Sequence, residues 1–103
     1  MKKAVKNVEE ATAMLKERKD EVVQKYRVSE LGIFGSFIRG EQRKRSDIDI
    51  LVEFDEEHIP SLLRLIEMER YLQRLLRKKV DVVMKSGIRA ELKEDILKEV
   101  IYV

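Results

Sequence analysis

The pattern of apolar residues predicts an α/β domain of the α+β kind, a small mixed β-sheet flanked by helices. Three observations carry this reading. Short apolar runs at 31–35, 47–54 and 79–84 are too brief for buried helices and suit strands. Segments with helical periodicity lie before, between and after them. Gly32, Gly35, Gly40, Pro60 and Gly87 stand where one element should give way to the next.

Taken in order, Val5, Val8, Ala11, Ala13, Leu15, Val22, Val23 and Tyr26 predict an amphipathic helix over 3–26, with Lys and Glu on its other faces. The run at 31–35 predicts a buried strand, and a turn with a short helix should follow from Ser36. Over 47–54 the residues alternate: Ile48, Ile50, Val52 and Phe54 share one side, and Asp47, Asp49, Leu51 and Glu53 share the other. Pro60 suits a first helical turn, and Leu62, Leu65, Ile66, Met68, Tyr71, Leu72, Leu75 and Leu76 give a broad apolar face over 61–77. Val80, Val82 and Val83 mark a further strand at 79–84, interrupted by Asp81. After Gly87, the spacing of Leu92, Ile96, Leu97, Val100 and Ile101 predicts a closing helix. The expected order is helix, strand, helix, strand, helix, strand, helix.

Composition narrows the function. The 103 residues suit one domain over 1–103 with a single core. Twenty-two basic and twenty acidic side chains leave a net charge of +2, so no global field draws in nucleic acid or an anionic membrane. Abundant Lys, Arg and Glu resemble the composition of proteins from hot environments. No cysteine is present, which excludes disulfides, thiolate catalysis and Cys-based zinc sites. His58 is the lone histidine, so a His-rich metal site is excluded as well. The opening MKKAVKNVEEATAML lacks the apolar core of a signal peptide, and no segment reaches membrane-spanning length, which predicts a cytoplasmic protein without a membrane partner.

The chemistry rests on carboxylates. Asp47 and Asp49, two residues apart on a strand, project from the same face, and like charges so placed repel unless a cation or hydrogen-bond donors neutralise them. Mg²⁺ is the usual partner where phosphate is also present. If the strand of Asp81 pairs beside theirs, the roughly 4.8 Å between neighbours brings a third carboxylate to the same place. Singly, Asp47 reads as a turn cap, Asp49 as a solvated strand residue and Asp81 as an exposed edge-strand charge. Together they do not, because an aspartate in an otherwise apolar strand is costly without compensation and both candidate inner strands carry one.

Upstream, Gly35 and Ser36 close the first strand and open a helix, where free backbone N–H groups and the helix dipole suit phosphate oxygens. Gly35 lets the backbone approach closely, the Ser36 hydroxyl adds a donor, and Arg39 adds charge one turn on. A Gly-Ser pair alone equally describes a helix cap.

The stretch GSFIRGEQRKRSDIDILVEF, residues 35–54, joins these features and resembles the signature of the polymerase-β-like nucleotidyltransferases. It is most similar to their minimal (MNT) branch, the antitoxins of HEPN/MNT toxin–antitoxin pairs. There the run reads Gly-Ser-x-x-Arg-Gly, five residues, then Ser-Asp-Ile-Asp and an apolar strand, matched by Gly35, Ser36, Arg39, Gly40, Ser46, Asp47, Ile48 and Asp49. The family's third carboxylate lies on a later strand, where Asp81 stands. Ile38 departs from the pattern, since relatives often carry a small residue there, and the cluster Arg43, Lys44 and Arg45 is no hallmark of the family.

The resemblance implies a nucleotidyltransferase-like core and Mg²⁺-dependent transfer of AMP from ATP to a hydroxyl. Two Mg²⁺ ions, about 4 Å apart, are expected on Asp47, Asp49 and Asp81. Gly35, Ser36 and Arg39 are expected to bind the nucleotide. The implied acceptor is a tyrosine of a HEPN ribonuclease toxin, silenced by the transfer, and homo-oligomers or hetero-oligomers with the toxin are both compatible with that role. The alternative is a catalytically silent antitoxin that neutralises its partner by binding alone. Transfer to a small molecule fits less well, because the chain has no second lobe to hold one. The cluster at 43–45 reads as a solvated loop, and without a recognisable nucleic-acid module direct RNA or DNA binding is not expected.

Overall fold

In the computed structural model, which describes residues 5–35 and 47–103, four strands form one mixed sheet with two helices packed on one face. Helix α1 (Val8–Tyr26) leads to β1 (Val28–Phe34) and β2 (Ile48–Phe54). Helix α2 (Leu62–Leu76), β3 (Val80–Met84), a 3₁₀ turn (Lys85–Gly87), α3 (Ala90–Glu99) and β4 (Ile101–Tyr102) complete the chain. The short helix expected after Ser36 falls outside the described residues.

Each long helix begins on a side-chain cap. The Asn7 side chain accepts the Glu10 N–H at 2.9 Å, and Ser61 accepts the Arg64 N–H at 3.2 Å, which supplies partners for amides that have none within the first turn. Pro60 therefore precedes the cap of α2 instead of occupying its first turn, because the Ser61 side chain is the better acceptor for the free amides. Both helices end on an arginine in the left-handed region, Arg27 (φ 60°) and Arg77 (φ 54°), a conformation glycine would adopt at lower cost.

The strand order is β3-β2-β1-β4. Strands β1 and β2 are antiparallel, β1 and β4 are antiparallel, and β2 and β3 are parallel, joined by α2 as the crossover. The β2–β3 register starts where the Ile48 N–H donates to the Lys79 carbonyl at 2.9 Å.

Helices α1 and α2 cover the face that carries Leu31, Ile33, Ile48, Ile50, Val52, Phe54 and Val80, and fill it with Ala11, Leu15, Val22, Tyr26, Met68, Leu72 and Leu76. The alternation read from 47–54 is thus correct for the dry side of β2. The opposite side is less wet than that alternation suggests, since Leu51 is also buried.

The C-terminal end differs from expectation. Helix α3 stops at Glu99, and Val100 has extended dihedrals (φ −61°, ψ 132°). Ile101 and Tyr102 then pair with Ile33 and Gly32 as β4, and the Val103 N–H donates to the Leu31 carbonyl at 2.9 Å. The β-branched residues Val100 and Ile101, together with Tyr102, favour a pleated edge over a helical last turn, and pairing with an open strand edge supplies the hydrogen bonds. Among the described residues, no helix is long and apolar enough to cross a membrane.

Candidate active site

Residues facing alike on adjacent strands form rows across the sheet. On the face away from the α1–α2 core, one row contains Phe34, Asp49 and Asp81, because Phe34 partners Asp49 and Asp49 partners Asp81. The next row contains Gly32, Leu51 and Val83, with Tyr102 across from Gly32 on β4. Asp49 and Asp81 are thus nearest neighbours across a parallel ladder and project to one side. Asp47 lies two residues before Asp49 at the entrance to β2, half-buried like Asp49, while Asp81 is exposed on the edge strand. Carboxylate oxygens are the donors that a hard divalent cation takes, so the donor set suits Mg²⁺. As the side chains stand, no three Asp, Glu, His or Cys residues form a group that could hold a metal ion among the described residues.

Gly35 closes the site from β1. Its φ of 84° lies in the region that L side chains rarely adopt, and a Cβ there would overlap Oδ2 of Asp49. The glycine allows the chain to turn out of β1 while its backbone lies against the Asp49 carboxylate. Ser36 and Arg39, expected nucleotide contacts, lie outside the described residues, as do Arg43, Lys44 and Arg45.

Two further features had no signature in the sequence. The Gly35 N–H donates to Oε1 of Glu99, at the end of α3, at 3.0 Å. At the far end of the same sheet face, Lys85 Nζ lies 2.9 Å from a Glu30 carboxylate oxygen and 3.9 Å from one of Glu53. The hydrogen bond to Glu30 holds the Lys85 ammonium above its ordinary pKa. Glu30 and Glu53 are themselves cross-strand partners, so Lys85 neutralises a like-charge pair that would otherwise disfavour that register.

The family model for the nucleotidyltransferase domain matches residues 15–103. The chain belongs to that family. Among relatives of this nucleotidyltransferase domain, the protein adenylyltransferase MntA of Thermococcus cleftensis is 46% identical over 100 residues, covering 97% of this chain and 99% of that one. A solved structure described as a candidate minimal nucleotidyltransferase superposes with a TM-score of 0.79 at 30% identity, covering 96% of this chain and 98% of that one. A complex of a tri-AMPylated HEPN toxin of Shewanella oneidensis with an MNT antitoxin matches the fold with a TM-score of 0.64 at 16% identity, over 89% of this chain and 70% of the matched one. The predicted fold class holds: three described helices and a four-stranded mixed sheet make a minimal nucleotidyltransferase core.

Proposed function

We propose that this nucleotidyltransferase domain transfers AMP from ATP to a tyrosine hydroxyl of a HEPN-type ribonuclease and so acts as its antitoxin. The observation that carries the proposal is the ladder partnership of Asp49 with Asp81, beside a glycine turn packed against Asp49. Similarity to a protein named as an adenylyltransferase, at near-complete mutual coverage, supports the reaction class. The fold shared with an MNT antitoxin bound to an AMPylated HEPN toxin supports the partner.

In the proposed reaction the acceptor oxygen forms a bond to the α-phosphorus of ATP, the bond from that phosphorus to the α–β bridging oxygen breaks, and pyrophosphate leaves. Bound Mg²⁺ supplies neutralisation of the triphosphate and of the charge that develops on it. Asp47, Asp49 and Asp81 would hold the Mg²⁺. Asp81, exposed at the sheet edge, is open to an acceptor from outside the domain and either orients its hydroxyl or takes its proton. The turn at Gly35 and Ser36 positions the β- and γ-phosphates, with Arg39 adding charge. An AMP group on the toxin adds a negative charge and bulk where RNA must enter, which disfavours substrate binding.

Incubation with α-labelled ATP, Mg²⁺ and the HEPN partner tests the proposal. Label on a partner tyrosine is expected. A tight complex that carries no label and still silences the ribonuclease would instead mark a binding antitoxin.

A further inference from the structure

The C-terminal strand and the glycine turn meet at Glu99. Gly32 pairs with Tyr102 and Ile33 with Ile101, and the Val103 N–H reaches the Leu31 carbonyl, so one antiparallel register runs along this edge of β1. Continued two residues further, that register sets Glu99 opposite Gly35. In an antiparallel ladder the peptide groups of alternate residues point to the same neighbour. Leu31 points to β4, and therefore Ile33 and Gly35 do so too. The backbone of β4 does not extend that far, because the chain turns back into α3, where the Val100 N–H still donates to the Ile96 carbonyl at 3.2 Å. The Glu99 carboxylate occupies the place of the missing strand carbonyl and accepts the Gly35 N–H at 3.0 Å.

This bond falls on a residue with little freedom to spare. Gly35 is held at φ 84° with the Asp49 carboxylate against its α-carbon, so the peptide oriented by the Glu99 bond is the one on which the chain turns out of β1. On the β4 side, Val100 Cγ1 and the Ile101 carbonyl lie so close to Gly32 that a Cβ there would sit 2.6 Å and 3.0 Å from them, which ties the α3–β4 junction to the same strand.

We infer that Glu99 is a positioning residue for the nucleotide site: its carboxylate replaces a ladder carbonyl and fixes the Gly35 turn in the orientation that receives the triphosphate. The inference rests on the nucleotidyltransferase reading and adds a residue from the far end of the chain. A charge-assisted hydrogen bond to a backbone amide is stronger than a neutral one, yet a glutamine carbonyl oxygen can accept the same N–H.

The test compares wild type, Glu99→Gln and Glu99→Ala in the full chain, with Tm recorded for each. It reads hydrogen exchange of the Gly35 amide in the free protein, affinity for AMP-PNP with Mg²⁺, and KM and kcat for AMP transfer. The alanine variant should lose protection at Gly35, bind nucleotide roughly tenfold more weakly and raise KM while leaving kcat at saturating ATP largely intact. Glutamine should restore protection and affinity to within about twofold. Unchanged affinity in the alanine variant overturns the inference while leaving the transferase reading in place. Tighter binding in both variants also overturns it, since Glu99 would then be a competitor of the triphosphate. A wild type that binds no nucleotide overturns both readings, and is the one outcome in which they fall together.

Discussion

Asp49 and Asp81 face each other across the parallel β2–β3 ladder, although 31 intervening residues, including the whole of α2, separate them in sequence. Two features enforce the pairing. The Lys79 carbonyl receives the Ile48 N–H and starts the register, and Leu72, Leu76 and Met68 of α2 bury themselves against the sheet so that β3 returns alongside β2. A slip of one residue would turn Asp81 to the dry face and Val80 out of it, which the burial of Val80 opposes.

Replacing either aspartate by asparagine should therefore abolish transfer without unfolding the protein. Loss of one carboxylate from a metal-assisted phosphoryl site removes several kcal/mol of transition-state stabilisation, about a thousandfold or more in kcat/KM. Asp81 is exposed, so its Tm should stay within a few degrees of wild type. Initial rates of AMP transfer beside circular-dichroism melts check this.

Gly35→Ala should damage stability and activity together. An L residue at φ 84° costs about 1–2 kcal/mol, and the added methyl meets Asp49 Oδ2, so the carboxylate must move. Chemical denaturation should show the loss of stability, and titration with AMP-PNP and Mg²⁺ should show weakened binding.

How much of this was legible in the sequence differs from residue to residue. The period-two run at 48–54 and the period-3.6 run of α2 announce their elements because each buries one whole face, and Asp49 and Asp81 stand out because they interrupt such runs. The β4 strand was not legible. Val100 and Ile101 continue a plausible helical spacing, and only the open edge of β1, a tertiary feature, makes the strand the better solution. The Gly35–Glu99 bond was hidden for the same reason, since its partners lie 64 residues apart and meet only through the β1–β4 register. The role of Leu51 was half-legible: alternation assigns its side correctly, but not that this side is covered.

Gly32→Ala should dislodge β4. Its Cβ would stand 2.6 Å from Val100 Cγ1 and 3.0 Å from the Ile101 carbonyl oxygen, and the second of these is backbone. Overpacking of this kind costs about 1–3 kcal/mol. Hydrogen exchange should show loss of protection at the Val103 amide, which donates to Leu31, ahead of any loss in β2 or β3.

Leu72→Ala tests the core under the site. Leu72 is fully buried between α2 and the sheet, so truncation should cost about 2–5 kcal/mol. In a domain of this size each kcal/mol lowers Tm by roughly 4–8 °C, measurable by calorimetry.

A double-mutant cycle on Mn²⁺ affinity in the presence of AMP-PNP measures whether Asp49 and Asp81 act as one site through a shared divalent ion. Wild type, D49N, D81N and the double variant are each titrated by calorimetry. Strong non-additivity is expected, with the second substitution costing far less than the first and a coupling of about 1 kcal/mol or more. Additive losses, or an ion bound equally well by wild type and D81N, would show that the two carboxylates do not share an ion.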